Sequence, residues 1–255
     1  MAQATDLKRR YGKTQRVDRW WLEPVALGVG FLIFVIYSTI SGFNVGQWHY
    51  EAGPYLSPFF EPLINPAWKP DWISPAVFIL WAPLGFRATC YYYRKMYYRS
   101  YFMSPLACAV QEPAKSYSGE SKFPFILMNA HRFFLYVALL FIPVLWYGAA
   151  KSFWMPGEGL GIGLGSLILV ANAFLLMMFT LGCNSLRHLV GGGLNCFSCT
   201  NFTRSRRKMW DFVTVANKHH RGWAWASLIS VGLSDLYVRL VASGSVTDIN
   251  TWTTF

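Results

Sequence analysis

The stretch FPFILMNAHRFFLYVALLFIPVLWY, residues Phe123–Tyr147, decides the fold. It runs for 25 residues with Arg132 as its one formal charge. That is longer than the roughly 20 apolar residues an α-helix needs to cross a hydrocarbon core. Four further blocks pass the same test: Pro24–Phe43, Ile73–Tyr93, Leu160–Leu189 and Phe212–Val241. The two longest exceed one crossing, so they must tilt, kink or continue into the cytosol. Across all 255 residues, 54% are hydrophobic and only 14% charged, too little charge to wet the surface of an ordinary globular domain. The expectation is an all-α integral membrane protein with a basic segment over residues 1–23, a bundle of five transmembrane helices within 24–243, and an outer tail over 244–255.

A net charge of +11 raises nucleic acid as a partner, but the positions of the basic residues argue against it. One group is Lys8, Arg9, Arg10, Lys13, Arg16 and Arg19; a second is Arg94, Lys95, Arg99, Lys115 and Lys122; a third is Arg204, Arg206, Arg207, Lys208, Lys218 and Arg221. These segments share one side of a five-span topology. The alternate segments carry little beyond Lys69, Lys151 and Arg239. The positive-inside rule then places the N-terminus in the cytosol and the C-terminus outside, in a multi-pass protein of the cytoplasmic membrane. No small-residue cleavage site follows the first span, which therefore reads as a retained helix. The outer stretches Tyr50–Trp68 and Trp154–Gly161 are rich in aromatic residues, as suits coverings at headgroup level. No internal repeat is evident.

With that topology, depth follows from distance to the cytosolic helix end at about 1.5 Å per residue. Cys90 lies near the end of the second span, and His131 roughly two turns into the third. Cys183 lies roughly two turns before the end of the fourth, and His219 and His220 roughly two turns into the fifth. A cysteine in an apolar helix also reads as a small hydrophobe, whereas a histidine inside a membrane is costly and needs a partner. All five cysteines fall on the cytosolic half, where thiols stay reduced, so disulfides are not expected. Cys196-Phe197-Ser198-Cys199, after Gly191-Gly192-Gly193, is an alternative metal or redox motif that could recruit His188 and His219 or His220. Arg87, Arg132 and Arg187 either snorkel to the cytosolic surface or stabilise negative charge at the same level. Asp235 and Arg239, spaced i, i+4, read as a helix-internal ion pair near the outer interface.

Several motifs then carry a resemblance: Asp18-Arg19-Trp20-Trp21, Pro54-Tyr55-Leu56-Ser57-Pro58, Cys90-Tyr91-Tyr92-Tyr93-Arg94, His131-Arg132-Phe133-Phe134, Arg187-His188-Leu189-Val190-Gly191-Gly192 and Trp223-Ala224-Trp225. Spread over nearly the whole chain, they resemble the membrane anchor of the mycobacterial type of succinate dehydrogenase, respiratory complex II. The resemblance implies a complex with a flavoprotein subunit and an iron–sulfur subunit that oxidises succinate and reduces menaquinone or ubiquinone. It also implies a Rieske-type [2Fe–2S] cluster inside the membrane, a centre that takes two Cys on one iron and two His on the other. Matching that set by depth and helix count assigns Cys90 and Cys183 as thiolates and His131 and His220 as imidazoles, although the Cys-x-His spacing of soluble Rieske proteins is absent. Arg87, Arg132 and His188 are then the candidate contacts for the quinone head.

Two other readings stand beside this one. In the first, His131 and His220 are axial ligands of a haem b, with no role for cysteine. In the second, the chain is a transporter, a reading weakened because its polar residues form no ladder across the bilayer.

Overall fold

The structure is a computed structural model that describes residues 12–43, 49–112, 120–123 and 125–253. Lys8, Arg9, Arg10, Lys115 and the last two residues of the outer tail lie outside the described residues. Eight helices are described: α1 (Leu22–Phe43), α2 (Val77–Ala88), α3 (Tyr91–Ser100), α4 (His131–Lys151), α5 (Leu164–Leu181), α6 (Asn184–Gly191), α7 (Asn201–Lys218) and α8 (His220–Ala242). Four are long and apolar enough to cross a membrane: α1, α4 with the 3-10 turn before it, α5 and α8. Ile33, Phe133, Leu140, Leu167 and Leu233 on these helices are exposed. So much exposed apolar surface calls for a lipid environment, and the chain is a multi-pass membrane protein.

The expected second span is shorter and broken. Helix α2 has 12 residues, with Pro83 inside it and therefore one backbone donor missing. The chain leaves the helix at Thr89 and Cys90 and restarts as α3. The fourth expected span breaks at Gly182-Cys183. A Cβ on Gly182 would stand 2.9 Å from the Met178 carbonyl oxygen and 3.1 Å from that of Ala216, so the close approach of α7 requires glycine there. The fifth expected span is cut at His219: its first residues belong to α7, and α8 begins at His220.

The chain forms two compact units, one of Met1–Val35 with Arg87–Asn129 and the other of Ile36–Phe86 with Ala130–Phe255. In the first, the N-terminal segment is tied to the stretch before residue 112. Gly12 N donates to Gln111 O at 3.2 Å, and the Thr14 hydroxyl to Ala109 O at 2.8 Å. Tyr101 donates to the Gly28 carbonyl at 2.6 Å and holds the start of α1 against the end of α3. Arg94 is buried, paired with Glu120, with its guanidinium 4.7 Å from the Phe125 ring centre.

In the second unit α5 packs between α4 and α8, and α6 packs on α7. One end is closed by the hairpin of Glu51–Ala52 and Tyr55–Leu56, which seats Tyr55 in a core with Ala149, Leu169, Ala173, Val238 and Trp252. Gly165 makes room for that tyrosine, since a Cβ there would stand 2.5 Å from its ring. The tail does not trail free. Asp248 accepts from Tyr55 at 2.7 Å, from Tyr237 at 2.5 Å and from Gly165 N at 3.1 Å, which caps the start of α5. The Asp235–Arg239 pair is present at 2.7 Å, but it is more than helix-internal. Asp235, with no exposed surface, also accepts from Tyr37 at 2.6 Å and from Ser57, and Arg239 donates to Ser41 O at 2.5 Å. This network joins the end of α1, the segment at Ser57 and α8.

Candidate redox site at the helix breaks

Each of the four expected ligands stands where one helix stops and another starts. Cys90 is the N-cap of α3 and Cys183 the N-cap of α6, with nearly the same backbone: φ −68°, ψ 128° and φ −67°, ψ 134°. His131 opens α4, and His220 opens α8. Both are buried thiols that take part in no disulfide. A helix N-terminus presents unpaired N–H groups and partial positive charge, which favours the thiolate over the thiol. At Cys183, beyond the end of α5, burial pushes the thiol pKa up while the backbone N–H groups of Ser185 and Leu186 act against it.

Within the second unit, His131 Nε2 lies 3.1 Å from Cys183 Sγ. The His131 ring is stacked on Phe86, with centres 4.7 Å apart and planes 6° apart. His220 is stacked likewise on Phe179 at 5.1 Å and 16°. The two phenyl rings meet edge to face at 5.6 Å. Four rings therefore run in contact from one imidazole to the other.

The local pattern occurs twice. Phe86 precedes Cys90 by four residues, as Phe179 precedes Cys183, and Arg94 and Arg187 follow the two cysteines by four. Both arginines lie over aromatic rings, Arg94 over Phe125 and Arg187 over Trp210, each at 4.7 Å. Arg187 Nε also donates to Thr214 at 3.1 Å. A His-Arg dipeptide completes each copy, His131-Arg132 and His220-Arg221. So few positions match over so many residues that the sequence shows no evident internal repeat. Phe86 and Phe179 are ordinary apolar residues in apolar helices and do not stand out in it. Their matched spacing to the cysteines was the signal available.

The other expected site residues fall as follows. Arg87 donates to the Tyr93 hydroxyl, with its guanidinium 5.4 Å from that ring centre. Arg132, His188 and His219 are exposed. Cys196 and Cys199, expected as reduced thiols, are joined by a disulfide, which removes them as thiolate ligands. Three-residue spacing lets two sulfurs meet whichever compartment the loop lies in. Cys108 is free and exposed.

In kind, two buried thiols and two imidazoles suit an iron–sulfur centre of mixed ligation. In position, His131 and Cys183 are in contact, and among the described residues no three His, Cys, Asp or Glu converge to hold a metal ion. A metal would take the lone pairs that the His131–Cys183 contact now uses.

The sequence model of a family described as actinobacterial succinate dehydrogenase subunit SdhC matches residues 22–244. Among solved structures, a chain of the Mycobacterium smegmatis Sdh1 complex in the apo form is similar, with 42% identity and a TM-score of 0.84 over 94% of each chain. No curated protein matches.

Proposed function

Because this chain belongs to the actinobacterial SdhC family, and so is a membrane anchor subunit of succinate dehydrogenase, we propose that it carries electrons from succinate to quinone through a centre held by Cys90, Cys183, His131 and His220. The other subunits of the enzyme are its partners, as the likeness to a chain of an Sdh complex implies. In this reading they are a flavoprotein and an iron–sulfur subunit docked on the cytosolic side. The basic segments face that side, and the chain crosses five times with α2 as a short second crossing, its N-terminus in the cytosol and its C-terminus outside.

The observation that carries the reading is the twofold occurrence of one half-site. Each copy supplies a cysteine at a helix N-cap and a histidine at a helix start. A Rieske-type [2Fe–2S] centre places two Cys on one iron and two His on the other, so exchanging two equivalent half-sites leaves that ligand pattern unchanged. When bound, the group supplies reversible one-electron transfer. The chain's own residues do the rest. The helix N-termini at Cys90 and Cys183 stabilise the two thiolates. Phe86 and Phe179 fix the planes of the imidazoles and keep water from their faces. Arg132, next to His131 in sequence, and His188, five residues after Cys183, are exposed and can donate charge-assisted hydrogen bonds to the carbonyls of menaquinone or ubiquinone. Arg87, which donates to the hydroxyl of Tyr93, is the third candidate donor. A haem b on His131 and His220 would leave both buried N-cap cysteines without a role.

The test is the double variant His131→Ala/His220→Ala in the assembled complex. Reduction of quinone should be lost while succinate oxidation with a soluble dye is retained. Normal quinone reduction by the assembled double variant would show that neither histidine lies on the path.

A further inference from the structure

The Cys196–Cys199 bridge has no part in the proposed relay, and its setting is that of a reactive disulfide. It encloses only four residues, and the stabilisation a cross-link gives grows with the loop it closes. The ends of this loop are held by other means. Arg206, on α7, donates to the carbonyls of Val190 at 2.7 Å and Gly192 at 2.8 Å, which fastens the end of α6 to α7. Gly192 N donates to His188 O at 2.8 Å and closes α6. At the far end Thr200 forms a capping box with Thr203 and starts α7 without help from sulfur. The α6–α7 connection is therefore complete whether or not the bridge is closed.

The surroundings favour opening it. Cys199 and Ser198 are exposed and Cys196 is half-buried. Cys199 directly precedes the N-cap of α7, where a thiolate meets the positive end of an 18-residue helix. Arg204 folds over the loop, its Nε donating to Ser198 O at 3.2 Å, and the Arg207 guanidinium lies 5.7 Å from the Phe197 ring centre. Two arginines thus touch the residues between the sulfurs, Arg207 while also paired with Asp211 at 3.1 Å. The Ser198 hydroxyl stands 3.6 Å from Cys196 Sγ and can stabilise a thiolate there as well. The Cα atoms, 5.8 Å apart, lie in the range where a bridge closes without moving the backbone.

We propose that Cys196 and Cys199 form a reversible thiol–disulfide exchange site whose reaction partner is a dithiol. One thiolate of the dithiol attacks Cys196 Sγ. The S–S bond breaks, and Cys199 leaves as the thiolate at the start of α7. The second thiolate of the dithiol then attacks its own sulfur in the mixed disulfide and releases Cys196. Two electrons pass to the chain, both released thiolates can take up the two protons, and the dithiol becomes a disulfide.

The purified complex is equilibrated in reduced and oxidised dithiothreitol at stepped ratios, alkylated without unfolding, and digested with trypsin. The peptide from His188 to Arg204 carries both cysteines and no other. It should gain two labels together as the buffer becomes reducing and lose both when the buffer is made oxidising again. Cys199→Ser should assemble normally and take one label at every ratio. A peptide that stays bridged in excess reduced dithiothreitol, or never bridges in the oxidised form, would overturn the proposal. So would loss of assembly in Cys199→Ser, because the bridge would then be structural.

Discussion

Replacing Glu61 with Gln should make the assembled anchor more stable at neutral pH and flatten its stability against pH. Glu61 follows the buried turn Pro58–Phe60 and is only 7% exposed. Its carboxyl fills the space beside Gly148, where a Cβ would stand 1.5 Å from Oε1. Burial raises its pKa from the usual 4.5 to about 7, with Lys151 pulling the other way. The folded chain therefore binds this proton more tightly than the unfolded chain. Its stability is greatest below pH 4.5, falls as pH rises, and levels off above about pH 7. At about 1.4 kcal/mol per tenfold change in proton affinity, the loss amounts to about 3 kcal/mol. The assay is thermal unfolding of the purified complex in detergent between pH 5 and 8, comparing wild type with Glu61→Gln. The difference between the two curves should open from pH 5 to about pH 7 and level off above that, and Lys151→Ala should steepen the fall in the wild-type background. Parallel curves for wild type and Glu61→Gln across this range would refute the reasoning.

Arg239→Ala should cost about 3–5 kcal/mol, because it strands the buried Asp235 charge; pairing it with Asp235→Asn should recover much of the loss, read as melting temperature in detergent. Cys90→Ser and Cys183→Ser should each abolish acid-labile sulfide attributable to the anchor, whereas Cys196→Ser and Cys199→Ser should leave it intact, as sulfide analysis of the purified complex would show. Arg132→Ala or His188→Ala should raise the KM for quinone by about tenfold, the scale of one charge-assisted hydrogen bond, with sulfide content unchanged. Wild-type kinetics in both would place the quinone head elsewhere.

The apolar blocks were legible because hydropathy and length carry the membrane-spanning signal directly: Pro24–Phe43 matches α1, and Phe123–Tyr147 the span Phe125–Lys151, to within a few residues. The breaks were not legible. Hydropathy runs on through Thr89-Cys90 and Gly182-Cys183, while the backbone path at the second break depends on the approach of Ala216 to Gly182. Depth in the sequence singled out Cys90, His131, Cys183 and His220, but not the fact that all four mark helix starts. Asp248 looked like a tail residue because its partners Tyr55, Gly165 and Tyr237 come from three separate parts of the chain. The Cys196–Cys199 bridge escaped an argument about compartments that was blind to the local geometry of a four-residue loop.

EPR spectroscopy of the purified complex, poised at stepped potentials, bears most directly on the relay. A one-electron signal with a lower average g than thiolate-only clusters should appear in the wild type. It should vanish in Cys90→Ser, Cys183→Ser, His131→Ala and His220→Ala, and persist in Cys196→Ser. A complex that reduces quinone without such a signal, or whose signal survives all four substitutions, would contradict the assignment of these residues.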